Sequence, residues 1–216
     1  MRADLDTGAL RADAPVTVIT ATWLEAKAAR RALRGARVVV AAGIGLRHLR
    51  APVAGTAVTC GLAGALSTHL APGAVVVPHR VLRPDGTWLA CDPALVEALV
   101  AAARRLGFEP DQGAVATTAA LVRGAARAEV AARGCVAVDM ETGLLTAPRI
   151  ATVRAILDTP AREISEVWLR HPLWALVRPA AWGEALWLWR QAPRCAGRAA
   201  AVLAEALGRR NTSAAR

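Results

Sequence analysis

Short apolar runs alternate along this chain with longer stretches in which apolar positions recur at helical spacing, and the two periods lay out most of its elements. Val16-Thr17-Val18-Ile19-Thr20 is a β-branched run and predicts a first strand. Thr22 is placed to cap a helix from Trp23 to about Arg34. Val38 to Ala41 predicts a second strand, followed by Gly43-Ile44-Gly45, where missing side chains permit a tight turn or close ligand approach. Ala57 to Cys60 predicts a third strand ending in Gly61-Leu62-Ala63-Gly64, and Ala74 to Val77 a fourth after a Pro72-Gly73 turn. Arg83-Pro84-Asp85-Gly86 reads as a hairpin turn into Thr87-Trp88-Leu89. Asp92-Pro93 is an N-cap and first helical position, for a helix running to about Leu106 and stopping at Gly107. Strands at Gly113–Thr118, Cys135–Val138 and Ile150–Leu157 follow, with a short helix at Ala125–Ala132. Strands alternating with helices define an α/β chain with a mixed or parallel sheet covered on both faces.

The pattern changes at both ends. Residues 1–14 show no periodicity and read as a loose N-terminal arm, leaving 15–166 as the α/β domain. From Trp168 onward, Trp168, Trp174, Trp182, Trp187 and Trp189 are interleaved with Arg170, Arg178, Arg190, Arg194 and Arg198. Residues 167–208 are therefore read as C-terminal helices packed on or extending the domain, and 209–216 as a disordered tail. Pro179 suits a helix start, and Pro193 is expected to kink or break the helix.

Composition narrows the class. The chain is 55% hydrophobic, so it is no disordered tail as a whole, yet no apolar run approaches the ~20 residues of a membrane span. Met1-Arg2-Ala3-Asp4 lacks the layout of a secretory signal, and the chain reads as cytoplasmic. Cys60, Cys91, Cys135 and Cys195 are far apart and form no Cys/His cluster, so neither a metal site nor a cofactor is expected. The net charge of +10 invites an anionic partner. Almost all of it is Arg, however, which is as much a sign of a GC-rich genome, and no nucleic-acid-binding motif is present.

The candidate chemistry lies in two strand ends. Val138-Asp139-Met140-Glu141 ends an apolar strand in an acid-Met-Glu step, and Val153-Arg154-Ala155-Ile156-Leu157-Asp158 ends another in a lone Asp. Ligands of open α/β sheets sit at the carboxyl ends of strands, and two carboxylates at the ends of neighbouring strands, as these are expected to be, can converge on one molecule. Each acid also has a plainer reading: Asp158 before Thr159-Pro160 as a turn, Glu141 as a first-turn Glu favoured by the helix dipole, Glu25 as a solvated helix residue. His48, His69, His79 and His171 have neither a paired acid nor a second His at ligand spacing.

Gly43-Ile44-Gly45, Gly61-Leu62-Ala63-Gly64-Ala65-Leu66, Pro72 to Val77, Val138-Asp139-Met140-Glu141 and Val153 to Asp158 occur in an order that resembles the purine and uridine phosphorylase family, which includes the methylthioadenosine/S-adenosylhomocysteine nucleosidases. The likeness spans about Val16 to Asp158. Asp158-Thr159-Pro160, Glu163-Ile164-Ser165 and the Trp/Arg-rich segment ending Ala192-Pro193-Arg194 are similar to the hopanoid-associated branch, which removes adenine from adenosylhopane. The resemblance implies a three-layer α/β/α fold with a mixed central sheet and a C-terminal helical appendage. It implies that Glu141 binds the ribose hydroxyls with Met140 against the sugar, that Gly61 lies at the substrate, that Asp158 protonates the purine at N7, and that Glu25 activates water. It further implies a purine nucleoside, lipid-linked in the hopanoid branch, as substrate, and a homodimer.

The family divides by nucleophile. Its phosphorylases hold phosphate with arginines and a Ser, but here Leu62 stands at the Ser position and Thr59 where Arg is found. Water is therefore expected over phosphate, although the nucleosidases also carry the Ser. Gly43, Gly45 and Arg47 are the candidates for the nucleophile side. The segment from Glu141 to Asp158 is short for the family, which leaves room for a bulky lipid tail or marks a binder without chemistry. The C-terminal tryptophans and arginines suit either a membrane–water interface or packing against the domain.

Overall fold

A computed structural model describes residues 16–35, 37–170 and 179–208; the N-terminal arm, Trp174, Arg178 and the C-terminal tail lie outside them. The strands are β1 (Val16–Thr20), β2 (Val38–Ala41), β3 (Thr56–Ala65), β4 (Val75–Val76), β5 (Arg80–Leu82), β6 (Trp88–Ala90), β7 (Ala114–Thr117), β8 (Cys135–Asp139) and β9 (Arg149–Asp158). They form one mixed sheet in the order β2-β1-β3-β8-β7-β5-β6, with β9 pairing β3 and β4 beside that path. The helices are α1 (Trp23–Leu33), α2 (Pro93–Arg105), α3 (Ala125–Ala131), a short α4 (Val167–Arg170) and α5 (Trp182–Gly208).

Helix ends follow local chemistry. Thr22 and Glu25 close a capping box at the start of α1, and Arg34 ends it in the left-handed region at φ 51°. Asp92 accepts the Leu95 N–H at 3.0 Å, with Pro93 in the first turn of α2.

β3 departs most from the sequence expectation. It does not stop at Cys60 but runs through Gly61-Leu62-Ala63-Gly64 to Ala65. The glycines stay in the strand because neighbouring side chains lie where their Cβ atoms would be: a Cβ on Gly61 would sit 2.3 Å from Glu25 Oε1, and one on Gly64 2.9 Å from Asp158 Oδ1. β8 and β9 are consequently not neighbours. β9 pairs parallel with the length of β3, whereas β8 pairs antiparallel with its last residues, Gly64↔Val138 and Ala65↔Ala137. Val138 and Asp158 lie on either side of Gly64 in β3, and a register shift between Ala63 and Gly64 re-aims Asp158.

The core lies between the sheet and α1, α2 and α5. Pro193 does not break α5, which is one helix of 27 residues. Proline removes the N–H that would bond the Trp189 carbonyl and crowds that carbonyl with its ring, but both residues are exposed, so the carbonyl is open to solvent rather than buried without a partner. The following half of the helix is pinned by buried Cys195, Ala199, Val202 and Leu203. Ahead of it, Trp182, Leu186 and Trp189 stand 59%, 48% and 73% exposed on one face at i, i+4 and i+7. Trp187 is half-buried with Arg162 stacked on its ring. All four cysteines are buried and free.

Candidate functional site

The floor of the site is a buried arginine among carboxylates. Arg154, in the middle of β9, is 1% exposed. Its Nη2 lies 2.6 Å from Asp139 Oδ2 and 3.6 Å from Glu141 Oε2, and donates to Thr142 Oγ1 at 2.8 Å. Asp139 is tied further by Thr117 Oγ1 at 2.5 Å and by the Thr142 hydroxyl and N–H. This satisfies a buried charge that would otherwise be costly, and it fixes the turn at Thr142–Leu144 that carries Glu141.

Glu141 is buried beside that cluster. Burial pushes its carboxyl up to about 7; Arg154 opposes the rise, Asp139 and Glu25 add to it, and a hydrogen bond from Gly45 opposes it again. Gly45 N–H donates to Glu141 Oε1 at 3.3 Å. Gly43 and Gly45 have φ of 79° and 66°, which shapes the turn that brings this N–H to the carboxylate. Gly43 also has Arg47 and His48 packed where a Cβ would be, 2.8 and 2.9 Å away.

Glu25 faces the same cluster from α1. Its Oε2 accepts from Thr22 N–H at 2.7 Å and Thr22 Oγ1 at 2.8 Å, and its Oε1 accepts from Leu62 N–H at 2.7 Å. Gly61 lets both Glu25 and Arg154 lie over β3, since Arg154 Nη1 would be 2.9 Å from a Cβ there.

Asp158, at the other end, is ion-paired. Arg127 of α3, 2% exposed, donates from Nη2 to Asp158 Oδ2 and from Nη1 to the Ala65 carbonyl. Burial raises the Asp158 carboxyl above its usual range, and the Arg127 charge and hydrogen bond pull it back. Arg127 Nε is 3.0 Å from Glu163 Oε1, close enough for charge attraction but without hydrogen-bond geometry.

Glu25, Met140, Glu141 and Asp158 line one cavity of about 220 Å³. Leu62, Ile164, Trp168 and Leu188 supply its apolar wall, and no Arg or Lys among the described residues lines it. A second cavity of about 290 Å³ shares Ile44, Leu121 and Met140 with the first and is bordered by Gly45, Arg47 and Glu166. Arg47 is exposed on that second cavity. Among the described residues, no group of three or more His, Cys, Asp or Glu side chains is arranged to hold a metal ion.

Arg154 and Arg127 were not singled out by sequence reasoning, which named Asp139 only within the acid-Met-Glu step and Trp168 only within the C-terminal cluster. Arg154 had a signal: a lone arginine inside an apolar strand must be paired if it is buried. Arg127 had none, since it sits in a short Ala-rich helix and meets Asp158 only through the fold.

Residues 47–147 match the family model of the phosphorylase superfamily, and the fold is nucleoside phosphorylase-like. Among solved structures, a mutant of the 5′-methylthioadenosine nucleosidase of Helicobacter pylori, with 5′-methylthioadenosine in its active site, is 13% identical at a TM-score of 0.67, covering 91% of this chain and 99% of that one. The 5′-methylthioadenosine/S-adenosylhomocysteine nucleosidase of Neisseria meningitidis, in complex with methylthio-immucillin-A, is 19% identical at 0.66, covering 89% and 98%. That of Colwellia psychrerythraea, in complex with adenine, is 16% identical at 0.64, covering 90% and 95%. At such identities the likeness is one of fold. No curated protein matches the chain. No helix among the described residues is long and apolar enough to cross a membrane.

Proposed function

We propose that this chain hydrolyses the N-glycosidic bond of a purine nucleoside of the adenosine type, releasing the base. The observation that carries the reading is the convergence of Glu25, Met140, Glu141 and Asp158 on one cavity. In the reaction the bond from C1′ to N9 breaks and its electron pair leaves with the base. Asp158 supplies a proton to the base at N7, a role typically contributing ~10²–10⁴-fold. Glu141 accepts hydrogen bonds from the ribose hydroxyls and lies near the positive charge that develops on the ring. Water adds to C1′, and the proton it loses passes to Glu25, so the products are free base and free sugar. The division of labour between an acid and a second carboxylate parallels O-glycoside hydrolysis.

Water is favoured over phosphate because the described residues offer the cavity no free cation. Arg154 is spent on Asp139 and Glu141, Arg127 on Asp158, and Leu62 brings no hydroxyl. The finer reading is a lipid-linked adenosine such as adenosylhopane, cleaved at the inner face of the membrane. It is supported by the apolar cavity wall of Trp168 and Leu188 and by exposed Trp182, Leu186 and Trp189 on the helix that carries Leu188. The ligands of the solved relatives favour a methylthioadenosine-type substrate instead. A nucleoside binder without chemistry is the reading favoured by Leu62 and by the Arg127 clamp on Asp158.

The test is adenine release from adenosylhopane and from methylthioadenosine, with and without phosphate, for the wild type and Asp158→Asn. Release that does not need phosphate and drops at least about 100-fold in the variant supports the hydrolase. No release from either substrate leaves the binder.

A further inference from the structure

We propose that Arg127 is a positioning residue for departure of the base: it grips one oxygen of Asp158 and so fixes the carboxyl at the end of the cavity where a base would abut. This rests on the function proposed above. Arg127 is anchored from three sides. Nη2 takes Asp158 Oδ2, Nη1 takes the Ala65 carbonyl at the end of β3, and Nε faces Glu163 Oε1 at 3.0 Å. Glu163 is itself held, accepting the Gly124 N–H at 2.7 Å at the start of α3 and lying 3.5 Å from Arg123 Nε. The other oxygen, Oδ1, lies against Gly64, where a Cβ would come within 2.9 Å of it, and the Ile164 backbone also hydrogen-bonds to this carboxyl. Arg127 and Asp158 together line a narrow space of about 30 Å³. Gly64, Leu121, Val138, Asp139, Met140 and Asp158 border both this space and the larger cavity, so it forms the end at which a base would abut.

The charged groups around Asp158 come from four directions. Arg127 faces it directly from α3, with Glu163 and Arg123 behind the guanidinium. Asp139 and Glu141 share the cavity from the end of β8, and Glu25 from α1. Arg127 is the one cation in contact with Asp158 among the described residues, and it opposes the effect of burial on that carboxyl. A general acid acts only while protonated, so the rate falls as pH rises past its titration. Removing Arg127 removes the lowering influence and moves that fall to higher pH, while the loss of aim reduces kcat.

Two measurements separate this inference from the function it rests on. Carbon-13 carboxyl titration of Asp158 in the substrate-free protein needs no turnover. Arg127→Met is expected to move its midpoint to higher pH and Arg127→Lys to leave it near the wild type; Glu163→Gln, which frees the guanidinium for Asp158 alone, is expected to move it lower. In adenine release, Arg127→Met is expected to lower kcat about tenfold or more with KM within about threefold, and to shift the alkaline limb upward, with Arg127→Lys restoring the profile. If Arg127→Met does not fold, Glu163→Gln carries the titration. An Asp158 midpoint unmoved in Arg127→Met, or in Glu163→Gln where the Met variant does not fold, or an unchanged kcat and pH profile in Arg127→Met, overturns the proposal. A wild type that cleaves no nucleoside overturns the function reading and the catalytic part of this one, whatever the titration gives.

Discussion

Four acids and two arginines set the character of this site, and each arginine is matched to a different carboxyl group. Arg154 faces Asp139 at 2.6 Å and Glu141 only at 3.6 Å, so most of its charge is spent on Asp139. Glu141 is left under-compensated and its carboxyl rises to about 7, chiefly through burial. Because the folded value lies above the unfolded one, the protonated form favours folding. The contribution is fully present below the ordinary Glu range and is lost as pH rises through about 7. Thermal melts of the wild type are therefore expected to weaken between about pH 5 and about pH 8, by roughly 1–3 kcal/mol. Glu141→Gln is expected to flatten that fall while abolishing substrate binding through the ribose. A variant whose melts track the wild type across the whole range would show that Glu141 does not titrate there.

At the scale of elements, β3 and α5 do the work that short motifs do not reveal. β3 runs past the point where its glycines would stop an ordinary strand, and the side chains of Glu25, Arg154 and Asp158 occupy the room those glycines leave. α5 carries a proline through its middle because the lost backbone bond faces solvent and the next turns are buried. Pro193→Ala restores that bond and is expected to raise stability by about 1–3 kcal/mol in urea unfolding. An unchanged midpoint would mean that the helix is already relaxed around the proline.

At the scale of the molecule, the exposed indoles of α5 lie on the helix that also lines the cavity through Leu188, and Trp23, 67% exposed with Lys27 over its ring, follows directly on cavity-lining Thr22. Indoles flanked by cations suit the headgroup region of an anionic bilayer. With Trp182→Ala and Trp189→Ala combined, sedimentation with anionic vesicles is expected to fall at least about tenfold, while adenine release from a soluble nucleoside stays within about twofold. Retained vesicle binding would remove the membrane from the account, and a change in oligomeric state would assign the indoles to a contact between copies.

The sequence by itself determined the periods, the caps and the acids: Thr22 and Asp92 as helix caps, the apolar strands, and Glu25, Glu141 and Asp158 as the groups worth following. Local propensity and a recognisable motif order suffice for these, because each depends on residues near one another in the chain. Tertiary structure alone decided that the ends of β8 and β9 lie on either side of β3 rather than on adjacent strands, and that Arg154 and Arg127 neutralise Asp139 and Asp158. It also decided that Pro193 lies inside a helix and that Trp187 turns inward while Trp189 stays out. Those outcomes depend on pairing register, burial and the compensation of charge, and all three are settled between residues far apart in sequence.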